Sequence, residues 1–389
     1  MHRSAEYSWT LSTGRRRITR TSVLWTLVAS ISVPATSLTA SAAMGQPVWG
    51  ARIVDQGTFS SLVTSRGSLY AVRYAASGPL ERGTQVVRLD PHSGKIVALS
   101  VVLPGLYAPV FAGKTLWLSG VTYYSKNARH VGPPVLDELN PLTLKKEKGV
   151  RTNHLGQVSL LGTAEGTLWE ISRGEYSCTL RCINPSNGLI VSTDQTKFVK
   201  EPCEGSVFNT SGKDLYVAIN ATTRTNAAIY ELNGQRGALI ARSTIPNVAN
   251  FTSMAATSKN LWIAGGDPGS QGFLLDMTTA PLKLVAESSF LKGDQGGAKL
   301  GPKGYQLPTF GQFPVVNFSS NRIWVASDGG VACLFPGSKN ALAHAEQRYA
   351  PIITSSFVVA GRSTWAIANF GSPGNGIVRL SPSSPCTPQ

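Results

Sequence analysis

A short pattern recurs seven times along this chain and constrains its fold more than any other feature. Each copy consists of a turn that contains Gly or Ser, then an aliphatic residue, an aromatic residue and a short apolar run. The intervals between successive aromatic residues are 47, 52, 47, 46, 62 and 41 residues. A regular period of this size is typical of repeat architectures, in which each unit buries its apolar faces against its neighbours. The pairs are Leu69-Tyr70, Leu116-Trp117, Leu168-Trp169, Leu215-Tyr216, Leu261-Trp262, Ile323-Trp324 and a degenerate Thr364-Trp365.

A second element follows most of these pairs and predicts a tight turn. It consists of an apolar residue, Asp or Asn, and then residues that favour turns, as in 89–94 and 183–188. Asp and Asn side chains bond to the backbone just ahead of them, Pro fixes φ, and Gly accepts a positive φ. Each turn joins two short alternating strands, for example 86–89 and 95–99. We therefore predict about four strands in each unit.

Four-stranded units of this length, arranged radially, form a β-propeller. We predict an all-β fold, a seven-bladed β-propeller of four-stranded antiparallel blades, in which each Trp or Tyr of the repeat packs between blades. The seventh unit lacks a convincing fourth strand, whereas residues 47–54 form an orphan strand before the first unit. We predict that this N-terminal strand completes the last blade, because such an exchange removes exposed sheet edges.

Residues 1–42 have the organisation of an export signal. Arginines at 15–17 and 20 precede an apolar stretch at 23–33, and 40–42 is a small-residue Ala-Ser-Ala cleavage motif. The apolar stretch is short for a membrane span, and an uncleaved N-terminal anchor is the alternative. The arginine cluster weakly resembles a twin-arginine signal, and Sec export fits at least as well. We predict a single propeller domain over 43–389, secreted or at the cell surface and not membrane-spanning once cleaved.

The chain is basic, which constrains its partners. Its net charge is +15, from 36 Lys and Arg against 21 Asp and Glu. Removing 1–42 takes away five of the cations and one of the acids, so the remaining chain still carries +11. A basic exported protein suits an anionic polymer or glycan of the cell envelope, or an extracellular protein. Export argues against intracellular nucleic acid as the partner.

The repeat resembles that of a broad group of secreted seven-bladed propellers, which includes YVTN, NHL and streptogramin-lyase-like proteins. The turn Leu-Asp-Pro-His-Ser-Gly-Lys at 89–95 also resembles the strand turns of quinoprotein-type propellers. The resemblance covers essentially all of 43–389. It implies the fold and says little about function, because propellers host many unrelated activities.

The resemblance to streptogramin lyases implies an enzyme with acids, histidines and magnesium around the central opening. Blades of that family often carry a Leu-Trp-Phe-Thr-Glu-like strand, and this chain departs from the pattern. No Glu stands three residues after an aromatic residue of the repeat, and the four histidines of 43–389 fall in different units. We therefore favour a non-catalytic binding or scaffold module without cofactor or metal, and keep a lyase or hydrolase at the central channel as the alternative. The residues three after the aromatics are Arg73, Gly120, Ser172, Ile219, Gly265, Ser327 and Ala368.

The resemblance further implies that ligands bind where second strands lead into third strands and where blades are linked. The second unit has a long loop there, and the 62-residue interval indicates an insertion at about 289–313, which either covers the central opening or is a solvated loop. Basic residues beside aromatic rings suit an acidic glycan, since cations attract it and rings stack on sugars. The candidate ligand-binding residues are Arg73, Tyr123, Tyr124, Lys126, Arg129, His130, Arg173, Lys299, Lys303 and Tyr305.

The five cysteines predict disulfides, because an exported chain meets an oxidising environment. Cys178 and Cys182 share one strand and lie too far apart for a bridge within it. We expect Cys178 to pair with Cys203 on one rim of the ring, and Cys333 to pair with Cys386 near the closure. Cys182 would then remain free. Five cysteines allow several other connectivities.

Overall fold

The computed structural model describes most of residues 50–381, and these belong to one unit, Gly45–Gln389. The regular elements of the described chain are almost entirely β-strands. The described residues are 50–56, 59–76, 82–104, 106–112, 114–123, 131–151, 157–164, 166–173, 178–187, 197–199, 206–211, 213–219, 226–246, 250–267, 271–291, 314–327, 330–337, 343–346, 352–369, 375–381 and 386.

The strands group into seven antiparallel sheets, which are the blades of a propeller. Strand β1 (Gly50–Gln56) stands first in the chain and belongs to the last blade. Blade 1 contains β2 (Phe59–Ser65), β3 (Ser68–Ala76), β4 (Arg82–Leu89), β5 (Ile96–Leu99) and β6 (Leu103–Pro104). Blade 2 contains β7 (Leu106–Ala112), β8 (Thr115–Tyr123), β9 (Val131–Leu139) and β10 (Lys146–Arg151). Blade 3 contains β11 (Gln157–Ala164), β12 (Thr167–Arg173), β13 (Cys178–Ile183) and β14 (Lys197–Val199).

The remaining four blades follow the same order. Blade 4 contains β15 (Ser206–Ser211), β16 (Asp214–Ile219), β17 (Asn226–Asn233) and β18 (Leu239–Pro246). Blade 5 contains β19 (Asn250–Ala256), β20 (Asn260–Asp267), β21 (Gln271–Thr279) and β22 (Leu282–Leu291). Blade 6 contains β23 (Val315–Ser319), β24 (Arg322–Ser327), β25 (Gly330–Leu334) and β26 (Ala343–Glu346). Blade 7 contains β27 (Ile352–Ala360), β28 (Ser363–Asn369), β29 (Asn375–Ser381) and β1.

The ring closes between the two ends of the chain. Strand β1 pairs antiparallel with β29, from Gly50 opposite Ser381 to Gln56 opposite Gly376. The strand expected at 47–54 is described from Gly50 and ends at Gln56, two residues later than expected, and it is the fourth strand of blade 7. Residues 47–49 lie outside the described part of the chain. The prediction of seven blades closed by an N-terminal strand is confirmed. Backbone hydrogen bonds, in addition to side-chain packing, hold the closure together.

One boundary expected from the sequence needs correction. The insertion before blade 6 was expected to begin near 289, but β22 continues through Leu291 and pairs with β21 over this stretch. Residues 289–291, the first three of the expected insertion, are therefore the end of β22. Residues 292–313 lie outside the described part of the chain.

The aliphatic–aromatic pair in the second strand of each blade builds the interfaces between blades. Adjacent strand residues point to opposite faces of a sheet, so the aromatic side chain meets the next blade and the aliphatic one meets the previous blade. Trp365 of blade 7 packs with Phe59 and Leu69 of blade 1, and Tyr70 of blade 1 packs with Leu116 of blade 2. All seven aromatic residues of the repeat are at most 3 % exposed. The aromatic residues of the repeat therefore belong to the buried core between the blades.

The Asp and Asn turns between third and fourth strands share one set of hydrogen bonds. In the first turn, the amide of Gly94 donates to the carbonyl of Asp90 at 2.7 Å, and the amide of Asp90 donates to the carbonyl of Lys95 at 2.9 Å. The turns that begin at Asn140 and Asn233 repeat both bonds at the same distances. The side-chain oxygen of each first residue also accepts a bond from the amide two residues later, at 2.8 to 3.0 Å.

The connections between strands lie at two ends of the blades. In an antiparallel blade, the first and third hairpins lie at one end, and the connection from the second to the third strand lies at the other. The links between blades also lie at that other end. We call the first end the turn face and the second the loop face. The first strands of neighbouring blades contact each other, so they stand closest to the axis, and the first hairpins surround one opening of the ring.

Candidate functional site

The loop face is where the sequence analysis places the candidate ligand-binding residues, and three of them lie on successive blades. Arg73 lies in β3 of blade 1, Tyr123 is the last residue of β8 in blade 2, and Arg173 is the last residue of β12 in blade 3. All three belong to second strands and stand toward the end that leads to the third strand. Across the next strand, Tyr123 pairs with Val131 and Arg173 pairs with Cys178.

Arg73 is held in place by neighbouring strands of blade 1. Its Nε donates to Oε1 of Gln85 at 2.9 Å, and a terminal guanidinium nitrogen donates to the same oxygen. Gln85 Nε2 donates in turn to the carbonyl of Ser100 at 2.8 Å. Ser100 lies between β5 and β6, and its Oγ accepts a hydrogen bond from the amide of Val86 at 2.9 Å. Arg73 thus offers a positioned, half-exposed positive charge near the loop face.

The other expected contact residues do not fall on the described part of the chain. They belong to the loop of the second unit and to the insertion before blade 6. Both segments were singled out by their length and their basic and aromatic residues. The residues are Tyr124, Lys126, Arg129, His130, Lys299, Lys303 and Tyr305.

Glu170 is a buried acid that the sequence pattern did not single out as a site. It follows Trp169 in β12 and stands opposite Arg181 on β13, with 3.6 Å between Oε1 and the Arg181 Nη1. Burial raises the pKa of Glu170 to about 7, and the Arg181 charge opposes that rise. The side chain is 0 % exposed, so a substrate in solvent does not reach it. The pair belongs to the interior of blade 3.

Two further buried acids are bound by neighbouring strands. Asp137 on β9 pairs with Lys146 on β10, with 2.7 Å between Oδ1 and Nζ. In blade 4, the Tyr216 hydroxyl donates to Oε1 of Glu231 at 3.1 Å, directly across β16 and β17. Burial raises the pKa of both the Tyr216 hydroxyl and the Glu231 carboxyl. Each pair links neighbouring strands within one blade.

The described residues contain neither a metal-binding cluster nor a membrane-spanning helix. Among the described residues, no group of three or more His, Cys, Asp or Glu side chains is placed to hold a metal ion. No helix within the described ranges is long and apolar enough to cross a membrane.

One expected disulfide is present. Cys333 on β25 is bonded to Cys386 in the C-terminal tail, with 6.0 Å between the Cα atoms. Cys182 is a buried free thiol, and burial raises its pKa. The pairing expected between Cys178 and Cys203 involves side chains outside the described set.

Comparison with known proteins supports the fold only. No family model and no curated protein matches the chain. Among solved structures, the chain is similar to the RRP9 WD40 repeats, with 11 % identity and a TM-score of 0.57 over 85 % of this chain and 97 % of that one. It is also similar to U3-55K, with 10 % identity and a TM-score of 0.57 over 86 % of this chain and 98 % of that one. A third similar structure is the Neurospora crassa Pan2 WD40 domain, with 10 % identity and a TM-score of 0.53 over 88 % of this chain and 98 % of that one. At these identities the likeness shows a β-propeller and nothing finer.

Proposed function

We propose that the protein is an exported, non-catalytic β-propeller that binds an anionic polymer or glycan of the cell envelope through its loop face. The observation that carries the proposal is the placement of Arg73, Tyr123 and Arg173 at the loop-face ends of second strands in three successive blades. Cations at such positions attract a polyanion at long range, and aromatic rings stack on sugars. A propeller is consistent with a binding or scaffold module, and an extracellular protein is the other partner that this surface suits.

Two loops supply the remaining contacts in this proposal. The loop after Tyr123 contains Tyr124, Lys126, Arg129 and His130, and the insertion before blade 6 contains Lys299, Lys303 and Tyr305. The net charge of +11 that remains without residues 1–42 favours an anionic ligand over a neutral one.

Export is part of the same proposal. The basic segment, the apolar stretch and the Ala-Ser-Ala motif within 1–42 support it, and so does the Cys333–Cys386 disulfide, because disulfides persist in oxidising compartments. We place the chain with secreted seven-bladed propellers of the YVTN, NHL and streptogramin-lyase-like kind on the basis of its repeat.

The test is co-sedimentation with an envelope fraction that holds polymer but no lipid. Insoluble cell wall is extracted with detergent and mixed with the purified protein across a salt series. A loop-face variant, Lys126→Ser, Arg129→Ser, Lys299→Ser and Lys303→Ser, is measured in parallel. We expect native binding at low salt that falls as salt rises, because ions screen exposed charges, and at least tenfold weaker binding of the loop-face variant.

The matched control removes four positive charges from the turn face instead. It carries Lys114→Ser, Lys213→Ser, Lys259→Ser and Arg362→Ser, so both variants have the same net charge. Equal loss of binding in the two variants would show that overall charge, not the loop face, binds the polymer. Absence of native binding at low salt would contradict the proposal.

A further inference from the structure

The turn face carries a ring of cations that the propeller fold does not require. In five of the seven blades, the hairpin between the first and second strands holds an exposed Lys or Arg. Because first strands stand closest to the axis, these side chains surround one opening of the ring. Within the part of the chain that the structure describes, none of them makes an ion pair. They are Arg66, Lys114, Lys213, Lys259 and Arg362.

The other two blades differ at this hairpin. Blade 6 has Arg322, which is buried, and its Nη1 donates to the carbonyl of Ser320 at 2.9 Å. Blade 3 has Glu165 in the corresponding sequence position, outside the described residues. The cationic ring is therefore interrupted at two blades.

Turn chemistry does not account for a cation in the first of these hairpins. Arg66 and Gly67 have φ values of 50° and 73°. A two-residue turn with positive φ at both positions favours Asn-Gly, because a longer side chain is disfavoured in the left-handed region. A Cβ added to Gly67 would meet no atom within 4 Å. The hairpin faces open solvent, and the fold leaves the choice of Arg unexplained.

The hairpins between third and fourth strands add to the same charge. Lys95, Lys145, Arg236 and Lys283 lie at their ends and are exposed, and none is ion-paired within the described ranges. The described carboxylates in the hairpins of this face are fewer: Asp90, Glu147 and Asp214. Asp90 already accepts bonds from its own turn, from the amide of His92 and the hydroxyl of Ser93, each at 2.8 Å. The face is strongly positive.

Two exposed apolar side chains stand among these cations. Leu142, 67 % exposed, belongs to the third hairpin of blade 2, and Phe335, 40 % exposed, belongs to that of blade 6. Cations interspersed with exposed apolar residues on one face have the composition of a surface that sits on an anionic bilayer.

We propose that the turn face docks on a bilayer that contains anionic phospholipids, with the cationic ring over the headgroups and Leu142 and Phe335 at the acyl boundary. A ring of charges around one opening can contact an anionic surface at many points, whereas one extended polymer would cross only part of it. Leu142 and Phe335 also find an apolar medium in a bilayer and none in a hydrophilic polymer. The docking leaves the loop face directed away from the membrane.

The test is sedimentation of the purified protein with lipid vesicles that contain no envelope polymer. One set is pure phosphatidylcholine, and the other contains 30 mol % phosphatidylglycerol, a composition we choose to give a surface potential like that of an anionic leaflet. The turn-face variant of Lys114, Lys213, Lys259 and Arg362 is compared with the loop-face variant, which carries the same net charge. We expect binding to the anionic vesicles only, at least tenfold weaker for the turn-face variant and unchanged for the loop-face variant.

The apolar contribution is tested separately with Leu142→Ser. Because Leu142 is exposed, this change leaves thermal unfolding unaltered, and we expect it to weaken vesicle binding several-fold without changing its salt dependence. Equal binding to neutral vesicles, or equal loss in both charge variants, would overturn the proposal, since an apolar N-terminal segment or overall charge would then account for the binding. Binding to wall polymer that depends on the turn face, without binding to vesicles, would also overturn it and would assign the turn face to a polymer.

Discussion

Blades 3 and 6 contain the same Trp–Cys pair but use the cysteine differently. In blade 3, Trp169 stands opposite Cys182 on the next strand, and in blade 6, Trp324 stands opposite Cys333. Cys333 is bonded to Cys386, whereas Cys182 is a buried free thiol. The position in the blade therefore does not determine whether a cysteine forms a disulfide. In blade 6 the disulfide depends on a second cysteine, Cys386, which lies outside the blade.

The residue after the Trp differs as well. In blade 6 it is Val325, which is buried among apolar side chains of blades 5 and 6. In blade 3 it is Glu170, which is buried opposite Arg181. A buried ion pair is weak support for stability, because desolvation opposes the attraction of its charges. At these two positions, blade 6 thus has a disulfide-bonded cysteine and a buried apolar side chain, whereas blade 3 has a free thiol and a buried acid.

Among the differences between blades 3 and 6, loss of the disulfide should change the free energy of unfolding most. Cys386→Ala opens a loop whose ends are separated by 53 residues, and the chain-entropy relation gives a loss of about 4 kcal/mol in the free energy of unfolding. Urea unfolding of Cys386→Ala and Cys182→Ala measures the difference. Similar losses in the two variants would mean that the bridge contributes little beyond the packing of a sulfur atom.

The next effect is a pH dependence that belongs to blade 3. The pKa of Glu170 is raised to about 7 in the folded protein, and an unfolded Glu has a pKa near 4.3. The folded protein therefore holds this proton more tightly, and the stability that results is lost as pH rises from about 5 to 8. The expected loss is about 3 kcal/mol.

Glu170→Gln should remove that slope, because the amide stays neutral throughout. The free energy of unfolding at pH 5 and pH 8 is measured for the native protein, for Glu170→Gln and for Glu147→Gln, which changes an exposed carboxylate. A gain in stability of the native protein from pH 5 to pH 8, or loss of the slope in Glu147→Gln as well, would contradict the assignment of this pH dependence to Glu170.

The smallest effect concerns the reactivity of Cys182. It is 1 % exposed, and burial raises the pKa of its thiol, so a thiol reagent should leave it unmodified in the folded protein and modify it in urea. Cys182→Ala should cost only about 1 kcal/mol, since a small side chain is shortened. Mass spectrometry after labelling reports the site directly. Rapid modification of native Cys182 would show that blade 3 opens locally.

The fold was predictable because its signals are periodic and local. The aliphatic–aromatic pair marks each second strand, and the Asp or Asn turns mark the third hairpins, each with its own backbone bonds. The orphan N-terminal strand and the missing last strand together predicted the closure. The Cys333–Cys386 disulfide was also predictable, because the ring closure places the C-terminal tail near Cys333.

Features that depend on neighbouring strands or on all blades together were missed. Glu170 and Arg181 are eleven positions apart and meet only in the cross-strand register. The cationic ring consists of single residues from five blades, so no local sequence motif predicts it. Comparing the same hairpin position in every repeat would have found it from the sequence. The structure gives the strand positions of Arg73, Tyr123 and Arg173, and ligand binding by these and the other loop-face residues stays a prediction.

The most direct test of the proposed function asks whether the ligand is bound and left unchanged. Anionic polymer released from the envelope is incubated with the protein at low salt and passed over a size-exclusion column. We expect the polymer to co-elute with the native protein, to separate from the loop-face variant, and to keep its original length distribution. Shortened polymer would contradict a non-catalytic module and favour the lyase or hydrolase alternative, and polymer that elutes apart from the native protein would contradict binding itself.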